Sequence, residues 1–211
     1  MPRYLKPAIF LACLVPLANL VWRGLHAQLG ANPIEAITHR TGDGTLTFLL
    51  ITLSVTPLRK LTRQYWLVGL RRMFGLFAFF YGTLHLMTYV WLDKFFAVHE
   101  MLADIAKRRF ITAGMTAFAL MIPLALTSTK WAIRKMGGKR WQALHRLIYV
   151  SAIAGVIHYW WLVKADISKP ARYAFVLALL VGYRIVAWRV RKNSEKKAAS
   201  VLAPRAQVTE G

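Results

Sequence analysis

The sequence predicts an all-α membrane protein, a six-transmembrane-helix bundle with both termini on the cytoplasmic side. Three observations carry this. The 211 residues are 57% hydrophobic, with a mean hydropathy of +0.41. The apolar residues come in runs of about 18 to 22, the length that crosses a hydrocarbon core about 30 Å thick, not in the alternation of a soluble domain. The 29 Lys+Arg, set against 8 Asp+Glu for a formal charge of +21, cluster in short segments between those runs. Such clusters face the cytoplasm and anionic lipid, and no soluble basic face is left for nucleic acid.

The first span covers about Ala8 to Leu25 and carries Pro16 as a kink point. No small-residue cleavage motif follows it, so it reads as a retained helix, and Cys13, the single cysteine, as a small packing residue. A polar loop comes next, with Asn32-Pro33 and Gly42-Asp43-Gly44 as turn signals. The second span is about Thr45 to Leu61, followed by a basic, aromatic linker suited to the interface. The third runs from about Arg72 to Leu92, and Asp93 to Arg109 forms a loop able to fold as a short amphipathic helix. The fourth is about Phe110 to Ser128. A basic loop turning at Gly137-Gly138 leads to the fifth, about Gln142 to Val163, and the sixth is about Ala171 to Trp188. Residues 1–190 thus form one six-helix domain. Residues 191–211 are a polar, basic tail expected to be disordered.

With six spans, the loops on the side of the termini hold 18 of the Lys+Arg and the opposite loops hold 8. The positive-inside rule therefore puts both termini in the cytoplasm.

Ionisable side chains within a span are costly and read as functional. Three histidines qualify: His85, His145 and His158. At 1.5 Å per residue His85 lies roughly 20 Å in from the cytoplasmic entry and His158 roughly 25 Å in, so they share a depth in the outer leaflet. His145 is only about 6 Å in. Neutral imidazole is the commonest protein ligand of haem iron, and two from facing helices make a six-coordinate, electron-transferring haem. The bland alternative is a hydrogen-bonded packing histidine. One difficulty is helical phase. The thirteen residues between His145 and His158 rotate an ideal helix by 220° beyond whole turns, so the fifth helix must be kinked or overwound, with Gly155 a weak candidate, or the two rings serve different flanks. His26 and His39 read as solvated, and His99 lies beyond the membrane, after Asp93 and Lys94. The basic pairs Arg71/Arg72 and Lys139/Arg140 read as topology signals, or as partners for propionates or a flavin phosphate. No intramembrane carboxylate pair, phosphate loop or nucleophile motif is present. The residues alone leave open a haem-free, histidine-lined transporter or proton channel, and a structural membrane anchor.

The segments RRMFGLFAFFYGTLHLMTY, LALTST and GGKRWQALHRLIYVSAIAGVIHYWWLVK, with ANPIEAITHRTG in the first loop, resemble the MsrQ family (formerly YedZ). These are the haem-binding membrane subunits of the periplasmic methionine-sulfoxide reductase system, within the wider ferric-reductase-like transmembrane domains. The resemblance covers Ala8 to Arg189. It implies a six-helix protein of the bacterial inner membrane that binds haem b, one or two, and FMN. Such a subunit passes electrons from the quinone pool or a cytosolic flavin reductase to a periplasmic, MsrP-like molybdopterin catalytic subunit, and is not itself the catalytic subunit. The family's haem-iron histidines fall on His85, His145 and His158. The wider relatives often carry two histidines on the third helix, whereas this chain has Arg71 fourteen residues before His85. A haem at the His145 level then lacks an evident second imidazole. About 22 residues follow the sixth span, too few for a fused flavin and nicotinamide domain, so electrons are expected from a partner or from quinol.

Overall fold

The computed structural model describes residues 4–206, with side chains described to residue 195. Among these the chain is helical with no strands. The elements are α1 (Leu5–Leu25), α2 (Pro33–Thr62), a turn of 3-10 helix (Tyr65–Leu67) and α3 (Val68–Met87), which continues as a π-helix (Thr88–Asp93). Then come α4 (Val98–Lys107), α5 (Arg109–Leu126), α6 (Lys130–Met136), α7 (Gly138–Leu144), α8 (Leu147–Leu162) and α9 (Ser168–Ala206). The chain divides into two units, residues 1–177 and residues 178–211.

In the first unit α2 packs along α3 and α5 along α8, and α3–α5 and α2–α8 contacts join the two pairs. Leu46, Leu49 and Leu53 of α2, Phe77, Ala78 and Tyr81 of α3, Ala117 and Met121 of α5, and Ala152 and Val156 of α8 make the core. Ser151 is fully buried in α8 and donates to the Ala117 carbonyl of α5 at 2.8 Å, a small polar clamp of the kind that holds helices together where water is absent. Outward, apolar side chains stay exposed, among them Leu11, Val15, Trp22, Phe80 and Trp160.

Among the described residues, four helical stretches are long and apolar enough to cross a membrane: Leu5–Leu25, Tyr65–Asp93, Arg109–Leu126 and Ser168–Glu195. The second and fifth expected spans are not among them. α2 carries many hydroxyl and charged residues over its 30 positions, and α8 has only 16.

Pro16 breaks the backbone ladder of α1, because it lacks an N–H and crowds the preceding turn. The repair comes from α3. Leu17 N–H donates to the Tyr81 hydroxyl at 3.2 Å, and that hydroxyl donates to the Cys13 carbonyl at 2.9 Å. The buried phenol is thus inserted between the two groups that would otherwise bond directly, one turn apart.

Three elements depart from expectation. Gly42-Asp43-Gly44 is not a turn: α2 starts at Pro33, capped by the Asn32 side chain on Glu35 N–H, and runs through it. These glycines give close approach instead, since a Cβ on Gly44 would meet Tyr81 at 2.8 Å. The amphipathic helix in the loop after the third span is present as α4, and Gly137, at φ +75°, turns α6 into α7. The fifth span is not one helix. α7 stops at Leu144, and Arg146 N–H bonds back to Ala143 and Tyr149 N–H to Arg146, three residues each, so the chain overwinds around Arg146 before α8 begins. Gly155 is not the irregular point; it sits inside α8 against Leu46. Finally, α9 continues to Ala206, where a disordered tail was expected from residue 191. Its Lys, Glu and Ala residues are good helix formers, and Arg191 and Glu195 pair at 3.6 Å one turn apart. Residues 207–211 lie outside the described residues.

Candidate functional site

His85 ends the last turn of α3, and His158 lies in the last turns of α8. The two imidazoles expected to share a depth are brought ring to ring, with centroids 5.9 Å apart and planes at 74°. Each is held the same way. His85 Nδ1 bonds the Thr38 carbonyl of α2 at 3.0 Å, and His158 Nδ1 bonds the Phe110 carbonyl of α5 at 2.6 Å. A carbonyl only accepts, so each Nδ1 carries the proton and each Nε2 keeps a free lone pair.

The seating is equally matched. Four residues beyond each accepting carbonyl is a glycine on which the ring rests. A Cβ on Gly42 would lie 3.2 Å from His85 Cε1, and one on Gly114 only 2.7 Å from His158 Nδ1. Two helix pairs, α2–α3 and α5–α8, thus present one histidine each by the same device, although the sequence shows no internal repeat.

Both rings border a cavity of about 230 Å³. Every fully buried side-chain nitrogen or oxygen among the described residues has a hydrogen-bond partner. The two Nε2 atoms have no protein partner among the described residues, so they open onto this cavity. Its inner part is apolar, with Leu46, Leu49, Phe118 and Met121, and its outer rim carries Thr38, His39, Tyr89, Asp93 and Arg108.

A metal–imidazole bond is about 2.0–2.1 Å, which places two rings sharing one ion through Nε2 about 6 Å apart, centroid to centroid. The observed spacing fits. No group of three or more His, Cys, Asp or Glu able to hold a metal occurs among the described residues. Two imidazoles with free Nε2 atoms are a set that could hold a metal whose other positions are filled by a non-protein ring.

His145 is elsewhere, at the end of α7. Its Nε2 lies 3.0 Å from Thr127 Oγ1, its ring stacks on Trp141 at 3.9 Å, and Trp141 donates to the Thr127 carbonyl at 2.9 Å. Arg71, at the start of α3, is near enough to act on it electrostatically. Its engaged nitrogen is Nε2, whereas His85 and His158 are engaged through Nδ1.

Sequence reasoning missed several contributors. His39, read as solvated, lines the cavity while contacting Glu35 at 3.5 Å. Arg108 at the rim and the carbonyls of Thr38 and Phe110 were also unforeseen; the signal available for them was glycine at positions 42 and 114, of which the first was read as a turn and the second was passed over. His26 stacks on Trp22, and His99 is exposed.

At the rim, Asp104 gathers three partners: Lys94 at 2.8 Å, Arg108 at 3.1 Å and the Tyr89 hydroxyl at 3.3 Å. The hydrogen bond from Lys94, with help from the Arg108 charge, holds the Asp104 carboxyl below its ordinary range, and the same bond raises Lys94.

Residues 42–156 match the family described as "Ferric reductase like transmembrane component". The chain is 51% identical to a protein of Herminiimonas arsenicoxydans over 92% of its own length and 89% of that protein's. It is 55% identical to one of Azospira oryzae, over 90% and 81%, and 49% identical to one of Bordetella pertussis, over 91% and 94%. Each relative bears the name "Protein-methionine-sulfoxide reductase heme-binding subunit MsrQ". The chain belongs to the ferric-reductase-like transmembrane family and, within it, to the MsrQ group.

Proposed function

We propose that this chain is the haem-binding membrane subunit of a protein-methionine-sulfoxide reductase system, holding one b-type haem between His85 and His158. The carrying observation is the matched pair: two rings 5.9 Å apart, each with Nδ1 tied to a carbonyl and Nε2 turned to one cavity. A haem bound there supplies one-electron chemistry. The protein's part is to keep both imidazoles in the ligating tautomer, to hold them against rotation through Thr38 and Phe110, and to surround the site with apolar side chains that exclude water.

The proposed topology has six spans, with α2 and α8 as the two inner ones, both termini in the cytoplasm, and the bacterial inner membrane as location. In that frame the outer pair faces the periplasm, where a molybdopterin catalytic subunit receives the electrons. The corner of His145, Trp141 and Arg71 faces the cytoplasm, where a flavin reductase or FMN, or a quinol from the membrane, delivers them. Because His145 Nε2 is engaged by Thr127, we assign it to electron entry and not to a second iron.

The test is a pyridine-haemochrome assay of the purified protein with haem counted per chain, repeated on His85→Ala and His158→Ala. One haem per chain with two-imidazole absorption is expected, mostly lost in either variant. A full spectrum in both variants would sink the assignment, and a colourless wild type from haem-replete cells would favour a histidine-lined transporter.

A further inference from the structure

Resting on the haem reading above, we propose that Arg108 is the anchor for the haem's carboxylates, so that the propionate edge of the ring faces the outer rim of the cavity and its apolar edge faces the inner part. The cavity is polarised along its depth. Leu46, Leu49, Phe118 and Met121 line one part, and His39, Tyr89, Asp93 and Arg108 the other. A haem is polarised in the same sense, with two carboxylates on one edge of an apolar disc. Burying those carboxylates in the apolar part without a partner would be costly, so the disc has one favourable orientation.

Among the described residues lining the cavity, Arg108 is the one lysine or arginine. It is also a built feature. It is the N-cap of α5, with extended backbone, and its N–H bonds the Asp104 carbonyl at 2.8 Å. Two residues on, Phe110 supplies the carbonyl that holds His158, so one short segment sets both the ligand and the cation. Asp104 takes Arg108 through Nε at 3.1 Å and is itself braced by Lys94 and Tyr89. A guanidinium has four further N–H donors beyond Nε, in the planar fork that suits a carboxylate. Its side chain is 55% exposed, so those donors are not packed away. Two protein carboxylates share the cavity wall. Asp43 accepts from the Tyr173 hydroxyl through its main-chain carbonyl at 3.4 Å, and Asp93 is the chain neighbour of Lys94. His39 contacts Glu35. Arg108 is therefore the cation the rim offers to an incoming carboxylate.

The experiment reconstitutes full-length apoprotein in nanodiscs with haem b and with haem b dimethyl ester, in which both carboxylates are capped. The wild type should bind the diester about tenfold or more weakly than haem b, the scale of a charge-assisted hydrogen bond. Arg108→Gln should bind both alike, at the diester level, while keeping two-imidazole absorption. Arg108→Lys should recover part of the preference. An Arg108→Gln protein that prefers haem b as strongly as the wild type overturns the proposal. Should that variant not fold, arginine-selective labelling of the wild type decides: haem b should shield Arg108 and the diester should not, and equal labelling overturns the assignment. A wild type with no two-imidazole absorption overturns the haem site itself, and Arg108's role with it.

Discussion

The outer histidine pair and the inner His145 corner use the same residue type to opposite ends. At the outer pair the protein occupies Nδ1 and leaves Nε2 to the cavity; at the corner Nε2 itself bonds Thr127 and the ring is covered by Trp141. Outer rings rest on glycines; the inner ring stacks on an aromatic. On the haem reading proposed above, what separates the two sites is which nitrogen the surroundings consume. Burial and membrane depth do not decide it.

The comparison breaks most sharply by deletion. His158→Ala should remove most of the haem absorption, whereas His145→Ala should leave it nearly intact and lower turnover with the cytoplasmic-side reductant. Equal haem loss in the two, measured per chain, would erase the distinction.

A smaller test adds atoms to the two seats. Gly114→Ala puts a methyl 2.7 Å from His158 Nδ1 and should cost about 1–3 kcal/mol with a several-fold drop in haem occupancy. Gly42→Ala places its methyl 3.2 Å from His85 and should cost less, since a shift of a few tenths of an ångström relieves it. Haem titration and thermal melts rank the two.

Thr127→Val releases Nε2 of His145 while keeping the shape. It should not perturb the outer haem spectrum, and its expected effect is a modest change in reductant kinetics.

The smallest effect expected is with pH, at the rim. Asp104 is depressed in the folded chain, so its contribution is present above the ordinary carboxyl value of 3.8 and is lost as pH falls through its lower folded value. Lys94 is raised, so its contribution is complete below the ordinary 10.5 and is lost as pH rises through its higher folded value. Thermal melts of wild type and Asp104→Asn should therefore differ by a constant amount between these limits and converge in acid.

Much of this was legible beforehand. The histidine pair at one depth followed from helical rise, because position along a helix is arithmetic. The conflict of phase between His145 and His158 was also legible, but not its resolution: nothing in the residues Leu144 to Leu147 announces the overwound turn near Arg146. Gly42-Asp43-Gly44 read as a turn because glycine's freedom and glycine's smallness look identical in a sequence. Only the rings of His85 and Tyr81 packed against that stretch tell which property is used.

The sequence by itself determined the membrane class, the order of the helices and which three histidines to consider, since run length, charge bias and side-chain identity are local properties. The tertiary structure decided which nitrogen each histidine offers, that Thr38 and Phe110 hold the outer pair, that Tyr81 mends α1 at Pro16, and that Arg108 stands at the rim. Those are main-chain acceptors and long-range approaches. Every residue has a carbonyl, so only packing selects the one that meets an imidazole.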